Sequence, residues 1–121
     1  MQTGGLRDEA LSTEFWEGAI SKMLGRIEQT ATSIDRGFPH YADTQSGLWT
    51  VSEQGDWTGG FWNGMLWLAY HTTSDDRYRR WARRWTELLR SRAASETVFR
   101  GFLFYYGAAL GDVLCADDLA F

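Results

Sequence analysis

Few side chains in this 121-residue chain have both the chemistry and the neighbours that a reaction requires. Cys115 is the single cysteine, so an internal disulfide is excluded. With no histidine or acid beside it in sequence, it reads as a small buried hydrophobe rather than a nucleophile. His40 and His71 stand apart from each other and from any cluster of cysteines or acids. No metal site is therefore expected, and no cofactor. Seven arginines fall between Arg77 and Arg92. Neighbouring acids and a net charge of -4 favour a solvated helix face over a phosphate-binding surface, and nucleic acid is not an expected partner. The remaining chemistry is aromatic. The stretch WTGGFWNGMLWLAY, residues 57–70, places five aromatic residues and three glycines in fourteen positions. Rings of this kind bind through their flat faces, and glycines let another backbone come close.

The elements that must position these rings are helical. Leu11, Phe15, Ala19, Met23, Ile27, Ala31 and Ile34 recur at steps of four and three, one face of a long amphipathic helix. Gly37 and Pro39 stop it. Residues 38–56 read as a loop by composition, and a loop this long in a compact domain tends to be functional. Asp56 or Thr58 caps a second helix running to about Thr72. After a short turn, a third helix spans 76–92, with Tyr78, Trp81, Trp85, Leu88 and Leu89 on one face. A turn at 93–97 leads to a fourth apolar helix over 101–116. Residues 117–121 look like the start of another helix. No run approaches roughly 18 apolar residues, so no membrane span is expected. The opening MQTGGLRDEALSTEFW lacks a basic segment followed by an apolar one, so no signal peptide is expected and a cytoplasmic location is the default.

Two stretches align loosely. Gly60-Phe61 and Gly101-Phe102, Gly64 and Gly107, and Asp75-Asp76 and Asp117-Asp118 are each separated by about 42 residues. The pattern predicts repeated helical hairpins in which an apolar inner helix alternates with a more polar outer one. A helix apolar nearly all round is buried on both sides. Gly59, Gly60 and Gly64 would then allow inner helices to approach closely, the alternative being looser packing in an ordinary bundle. Repeat architectures need several units to close a core. Two units leave a raw apolar edge, which predicts either a fragment or a partner, including a second copy of the chain. Seven tryptophans point the same way: a monomer this small buries only about two-thirds of its unfolded surface, so some of these rings line a pocket or an interface.

FPHY (38–41), WTGGFWNGMLWLAY (57–70), TSDDRYRRWARRW (73–85) and GFLFYYGAAL (101–110) together resemble the unsaturated glucuronyl hydrolases, glycoside hydrolase family 88. The resemblance runs in order from about Phe38 to Gly111. It implies an all-α fold of (α/α)6 toroid type, with this chain holding about four helices, roughly the first third. It implies as partner an oligosaccharide ending in an unsaturated uronate, and hydration of the C4–C5 vinyl ether by an aspartate acting as general acid and base, unlike the usual two-carboxylate scheme. Two positions depart from the family pattern. Asn63 stands where the family usually has Pro. Val98-Phe99-Arg100 stands where the family carries His-Asp-Leu, so Phe99 replaces an active-site aspartate, and the family's other catalytic aspartate lies beyond position 121. No catalytic residue is named; Glu96, three positions off, is a weak substitute. For substrate binding the resemblance implies Trp57 and Trp62 near the pocket. Arg100 is either a bidentate partner for a uronate carboxylate or a surface arginine at a turn. His40 is either a binding residue or a structural one, and Trp49 either a sugar platform or a lid packed on the core. Trp67, Trp81 and Trp85 are expected in the core, and His71 at the surface. The alternative reading of the whole is a non-catalytic sugar-binding or self-assembling module.

Overall fold

A computed structural model describes residues 12–118. Leu11, the first residue of the predicted stripe, and residues 119–121 of the expected closing helix lie outside the described residues, as do residues 1–11 of the opening stretch. Helix α1 spans Thr13–Ser33. The Ser12 side chain caps it by accepting from the Phe15 N–H at 3.1 Å, which satisfies one of the otherwise unpaired donors of the first turn. The predicted apolar stripe is present, but only its C-terminal half is covered. Ile27, Ala31 and Ile34 are buried, whereas Phe15 and Met23 remain 48% and 60% exposed.

The segment expected to be an irregular loop contains a β-hairpin. This corrects the loop reading only: the chain is mostly helical with one small two-stranded sheet among the described residues, compatible with an all-α partial fold. β1 (Phe38–Ala42) pairs antiparallel with β2 (Trp49–Ser52). The tip is closed by the Asp43 carboxylate, which accepts from the N–H groups of Gln45 and Ser46, and by the backbone bond from Asp43 N–H to Leu48 O. Alternation could not announce these strands. Phe38 and Pro39 are buried in succession and β2 is largely exposed, so the hairpin has no clean in-and-out pattern to write into the sequence.

Helix α2 spans Gly59–Thr73 and α3 spans Asp76–Leu89, continued by a 3-10 turn at Arg90–Arg92. Asp75 caps α3 by accepting from the Arg77 N–H at 3.0 Å. Trp67 and Trp85 are fully buried with Leu66 and Leu89, and each large apolar side chain so removed from water stabilises the fold by about 1.5–3 kcal/mol. Trp81 packs partly buried against this core, and His71 is exposed. The predicted fourth helix is one rod in three parts: α4 (Arg100–Phe104), a π-helical segment (Tyr105–Ala109) and α5 (Leu110–Cys115).

The glycines of α2 do bring the two apolar rods together. A Cβ on Gly60 would lie 2.3 Å from Phe102 O and one on Gly64 would lie 3.2 Å from Tyr106 O. From the opposite rod, a Cβ on Gly107 would meet the Leu89 side chain at 2.5 Å, and one on Gly111 the Trp67 ring at 2.6 Å. Gly101, aligned with Gly60 in the loose repeat, has open space around it, so the repeat matches the two rods in sequence without making their contacts equivalent. The Gly107 carbonyl, in the π-helical segment, accepts from Thr86 Oγ1 at 2.9 Å, Trp67 Nε1 at 3.1 Å and, more distantly, Asn63 Nδ2 at 3.4 Å. Three helices are thus tied to one buried carbonyl. The end of the last rod is fixed by Asp117, whose buried carboxylate accepts from Nε of both Arg79 and Arg83 at 2.9 Å. The arginine face of α3 is therefore in part a set of ion pairs within the fold. Among the described residues no helix is long and apolar enough to cross a membrane.

Candidate functional site

A cleft of about 520 Å³ lies between α1, the hairpin and α2. His40 enters it because of an irregularity in the sheet. Pro39 pairs with Val51 and Tyr41 with Thr50, so His40 is the extra, unpaired residue of a β-bulge. Bulges re-aim a side chain in this way. The His40 ring is held by Thr58, with Nδ1 2.9 Å from the hydroxyl, and Nε2 lies 3.8 Å from the Asp56 carboxylate. Thr58 occupies the N-cap position of α2, yet its hydroxyl makes no cap bond. Neither Asp56 nor Thr58 caps the helix through its side chain, and the Thr58 hydroxyl bonds His40 instead. The α2 start is secured by the backbone bond from Gly59 N–H to Gly55 O at 2.6 Å.

Trp49 closes one side of the cleft. Its Nε1 donates to Thr30 Oγ1 at 3.2 Å, which ties β2 to α1, and the residue remains 40% exposed. Phe61, Trp62 and Met65 of α2 form the opposite wall, and Lys22, Met23 and Arg26 of α1 form a rim. Trp62 contributes little surface. It is 3% exposed and sits edge-on to Trp85, ring centres 5.4 Å apart.

Beyond Phe61 the rings continue as a ladder. Phe61 lies 4.9 Å from Tyr106, 5.7 Å from Phe102 and 6.3 Å from Trp57, and Phe99 bridges Trp57 and Phe102 at 5.8 and 6.1 Å. Trp57, Phe99 and Phe102 each keep about two-fifths of their surface exposed. In a small protein a contiguous exposed group of rings marks a contact surface. Arg100 follows Phe99 at the start of α4, exposed and without an ion pair among the described residues.

The five sequence-predicted residues thus fall in two places joined by Phe61. His40, Trp49 and Trp62 line the cleft; Trp57 and Arg100 lie at the ladder. Phe61, Lys22 and Arg26 were not named as site residues from the sequence, and Thr58 was named only as a helix cap. Phe61 was legible within the aromatic block. Lys22 and Arg26 had a fainter signal, two cations one helical turn apart beside the apolar stripe. Cys115 sits against α2, its Sγ donating to Trp67 O at 3.6 Å, and burial raises its pKa. That environment suits an inert thiol. Among the described residues no three His, Cys, Asp or Glu side chains come together to hold a metal ion.

No family model matches the chain, and no solved structure gives a significant match. Curated proteins do match. The unsaturated glucuronyl hydrolase of Bacillus sp. (strain GL1) is 38% identical over 77 residues, 64% of this chain and 20% of that protein. The unsaturated chondroitin disaccharide hydrolase of Streptococcus pneumoniae (strain ATCC BAA-255 / R6) is 33% identical over 61 residues, 50% of this chain and 15% of that protein. That of Streptococcus pyogenes serotype M1 is 30% identical over 70 residues, 58% of this chain and 17% of that protein. The chain spans a fifth or less of the length of these relatives.

Proposed function

We propose, from the homology of this chain to the unsaturated glucuronyl hydrolases, that it is the sugar-binding wall of such an enzyme, in a helical toroid of (α/α)6 type. The ligand is an oligosaccharide ending in an unsaturated uronate. The observation that carries this reading is the ladder of exposed rings Trp57, Phe99 and Phe102 around the start of the two apolar rods. Flat rings take the C–H face of a pyranose, and Arg100 beside them offers a fork for a carboxylate.

The chemistry is hydration of the C4–C5 vinyl ether. A carboxylic acid protonates C4, the carboxylate then takes a proton from water as it adds to C5, and the resulting hemiketal opens and releases the glycosidic link. That step requires a carboxyl group held beside the rings, with its pKa raised by dry walls. Phe99 cannot ionise, so the chain binds sugar without cleaving it.

The test is a titration of the chain with an unsaturated uronyl disaccharide, read by tryptophan fluorescence. The disappearance of the ultraviolet absorbance of the double bond is followed in parallel. Saturable binding that weakens about tenfold or more, a change of about 1.4 kcal/mol, in Trp57→Ala supports the reading. Turnover above background by the chain alone refutes the inactive wall.

A second reading, self-assembly, is favoured by a different observation. Phe15, Trp16, Ile20 and Met23 of α1 lie exposed on the flank where Met65 and Leu68 of α2 are also uncovered. Sedimentation decides it: a dimer that Met23→Glu dissociates supports assembly through this face, and a monomer at every concentration removes it.

A further inference from the structure

We propose that the cleft between α1, the hairpin and α2 is a second sugar subsite, separate from the aromatic ladder, that takes a carboxylated pyranose. The ring lies on Phe61 and Trp49, and the carboxylate is held by Lys22 and Arg26. The inference rests on the sugar-binding reading above and adds a site to it.

Three observations carry it. The first is size and surface. A volume of about 520 Å³ falls within the roughly 300–1,000 Å³ of small-molecule sites, and the lining is mainly apolar and aromatic. The second is charge. Most arginines of α3 already hold a carboxylate: Arg77 pairs with Glu28 and Asp75, Arg79 and Arg83 with Asp117, and Arg80 with Asp76. Lys22 and Arg26 make no ion pair among the described residues, although the chain as a whole is acidic. Among the described residues the Arg26 guanidinium makes one long side-chain bond, 3.5 Å to Gln29 Oε1. Two uncommitted cations one turn apart on α1, both on the rim of the same cleft, fit one anionic group.

The third is a histidine on the lining. Thr58 fixes His40 through Nδ1, while Nε2 stands 3.8 Å from Asp56, beyond hydrogen-bond reach. It makes no hydrogen bond there, so a ligand hydroxyl can bond Nε2 in competition with that ion-pair contact. Thr30 is already engaged, donating to Arg26 O at 2.8 Å and accepting from Trp49 Nε1, so it orients the Trp49 ring rather than the ligand. A uronic acid presents what these groups ask for: an apolar C–H face, hydroxyls along an edge, and a carboxylate at one end. A neutral sugar leaves the cations unused, and an aliphatic acid leaves His40 unused.

The experiment titrates the full chain with an unsaturated uronyl disaccharide, its methyl ester and hexanoate, following tryptophan fluorescence. Titrations are repeated on Trp57→Ala/Arg100→Gln and on the same variant with Lys22→Gln/Arg26→Gln added. Lys22 and Arg26 are exposed, so circular dichroism should be unchanged in the second variant. The expected result is that Trp57→Ala/Arg100→Gln retains one saturable site, that adding Lys22→Gln/Arg26→Gln lowers this site's affinity by about tenfold or more, and that the methyl ester binds this site as weakly as the disaccharide binds once the two cations are removed. Three results overturn the proposal. Unchanged affinity of the remaining site when Lys22→Gln/Arg26→Gln is added removes the cleft and leaves the ladder reading standing. Hexanoate binding as tightly as the disaccharide removes the sugar. Absence of any binding to the unaltered chain removes both readings.

Discussion

Replacing Gly60 with alanine tests the close approach of the two apolar rods. The added methyl would stand 2.3 Å from Phe102 O, 2.6 Å from Leu103 Cα and 2.7 Å from Leu103 O. All three are backbone atoms, so no rotamer change relieves the overlap. Restoring ordinary contact needs a separation of about 1 Å between α2 and α4, and a gap of that size forfeits between a quarter and a half of each dispersion well it opens. Overpacking costs typically about 1–3 kcal/mol, and a site closed by backbone belongs at the upper end, about 3 kcal/mol. Alanine returns about 1 kcal/mol of helix propensity. The net expectation is a loss of about 2 kcal/mol, or about 8 °C in Tm at about 4 °C per kcal/mol for a chain of this size. Gly25→Ala is the control. Gly25 lies inside α1 with nothing within 4 Å of its missing Cβ, so only the propensity gain remains and Tm should rise by a few degrees. The assay is thermal unfolding followed by far-ultraviolet circular dichroism. If Gly60→Ala is as stable as the unaltered chain, or if both variants shift in the same direction, the glycine-mediated approach of the rods is wrong.

Thr86→Val removes the shortest of the three side-chain bonds to the Gly107 carbonyl. Two donors remain, so urea unfolding should show a loss of only about 1 kcal/mol. Asp117→Asn should cost about 2 kcal/mol in the same assay, because the charged acceptor shared by Arg79 and Arg83 is removed; the half-exposed guanidiniums keep the loss below that of a fully buried pair. The Cys115 thiol should react slowly with a disulfide reagent at neutral pH and much faster after unfolding in urea, because burial raises its pKa. The folded state favours the neutral thiol, so this contribution to stability is complete below the unfolded pKa and is lost as pH rises through the folded one. Equal rates for folded and unfolded chain would contradict the burial of Cys115.

The sequence by itself determined the helices and which of them are apolar nearly all round. Periodicity of 3.6 in Phe15 through Ile34 and the glycine-rich aromatic run of 57–70 are local patterns, and local patterns are what a chain writes into its order of residues. The aromatic block also carried the relationship to known hydrolases, since it pairs rare residue types at fixed spacing. The fold decided what depends on distant partners. The hairpin was hidden because its pairing satisfies backbone groups and leaves almost no alternating side-chain record. The bulge that turns His40 toward the cleft exists only as a register between two strands. Thr58 has the residue type of a cap, and its hydroxyl went instead to a histidine eighteen residues earlier. Phe61 looked like one core ring among many; three-dimensional packing made it the wall shared by the cleft and the ladder. The same holds for Lys22 and Arg26, which are ordinary surface cations until tertiary structure sets them beside a cleft with no ion pair among the described residues. Local propensity is fixed within a few residues along the chain, whereas a site is a set of distances between elements, and only packing sets those distances.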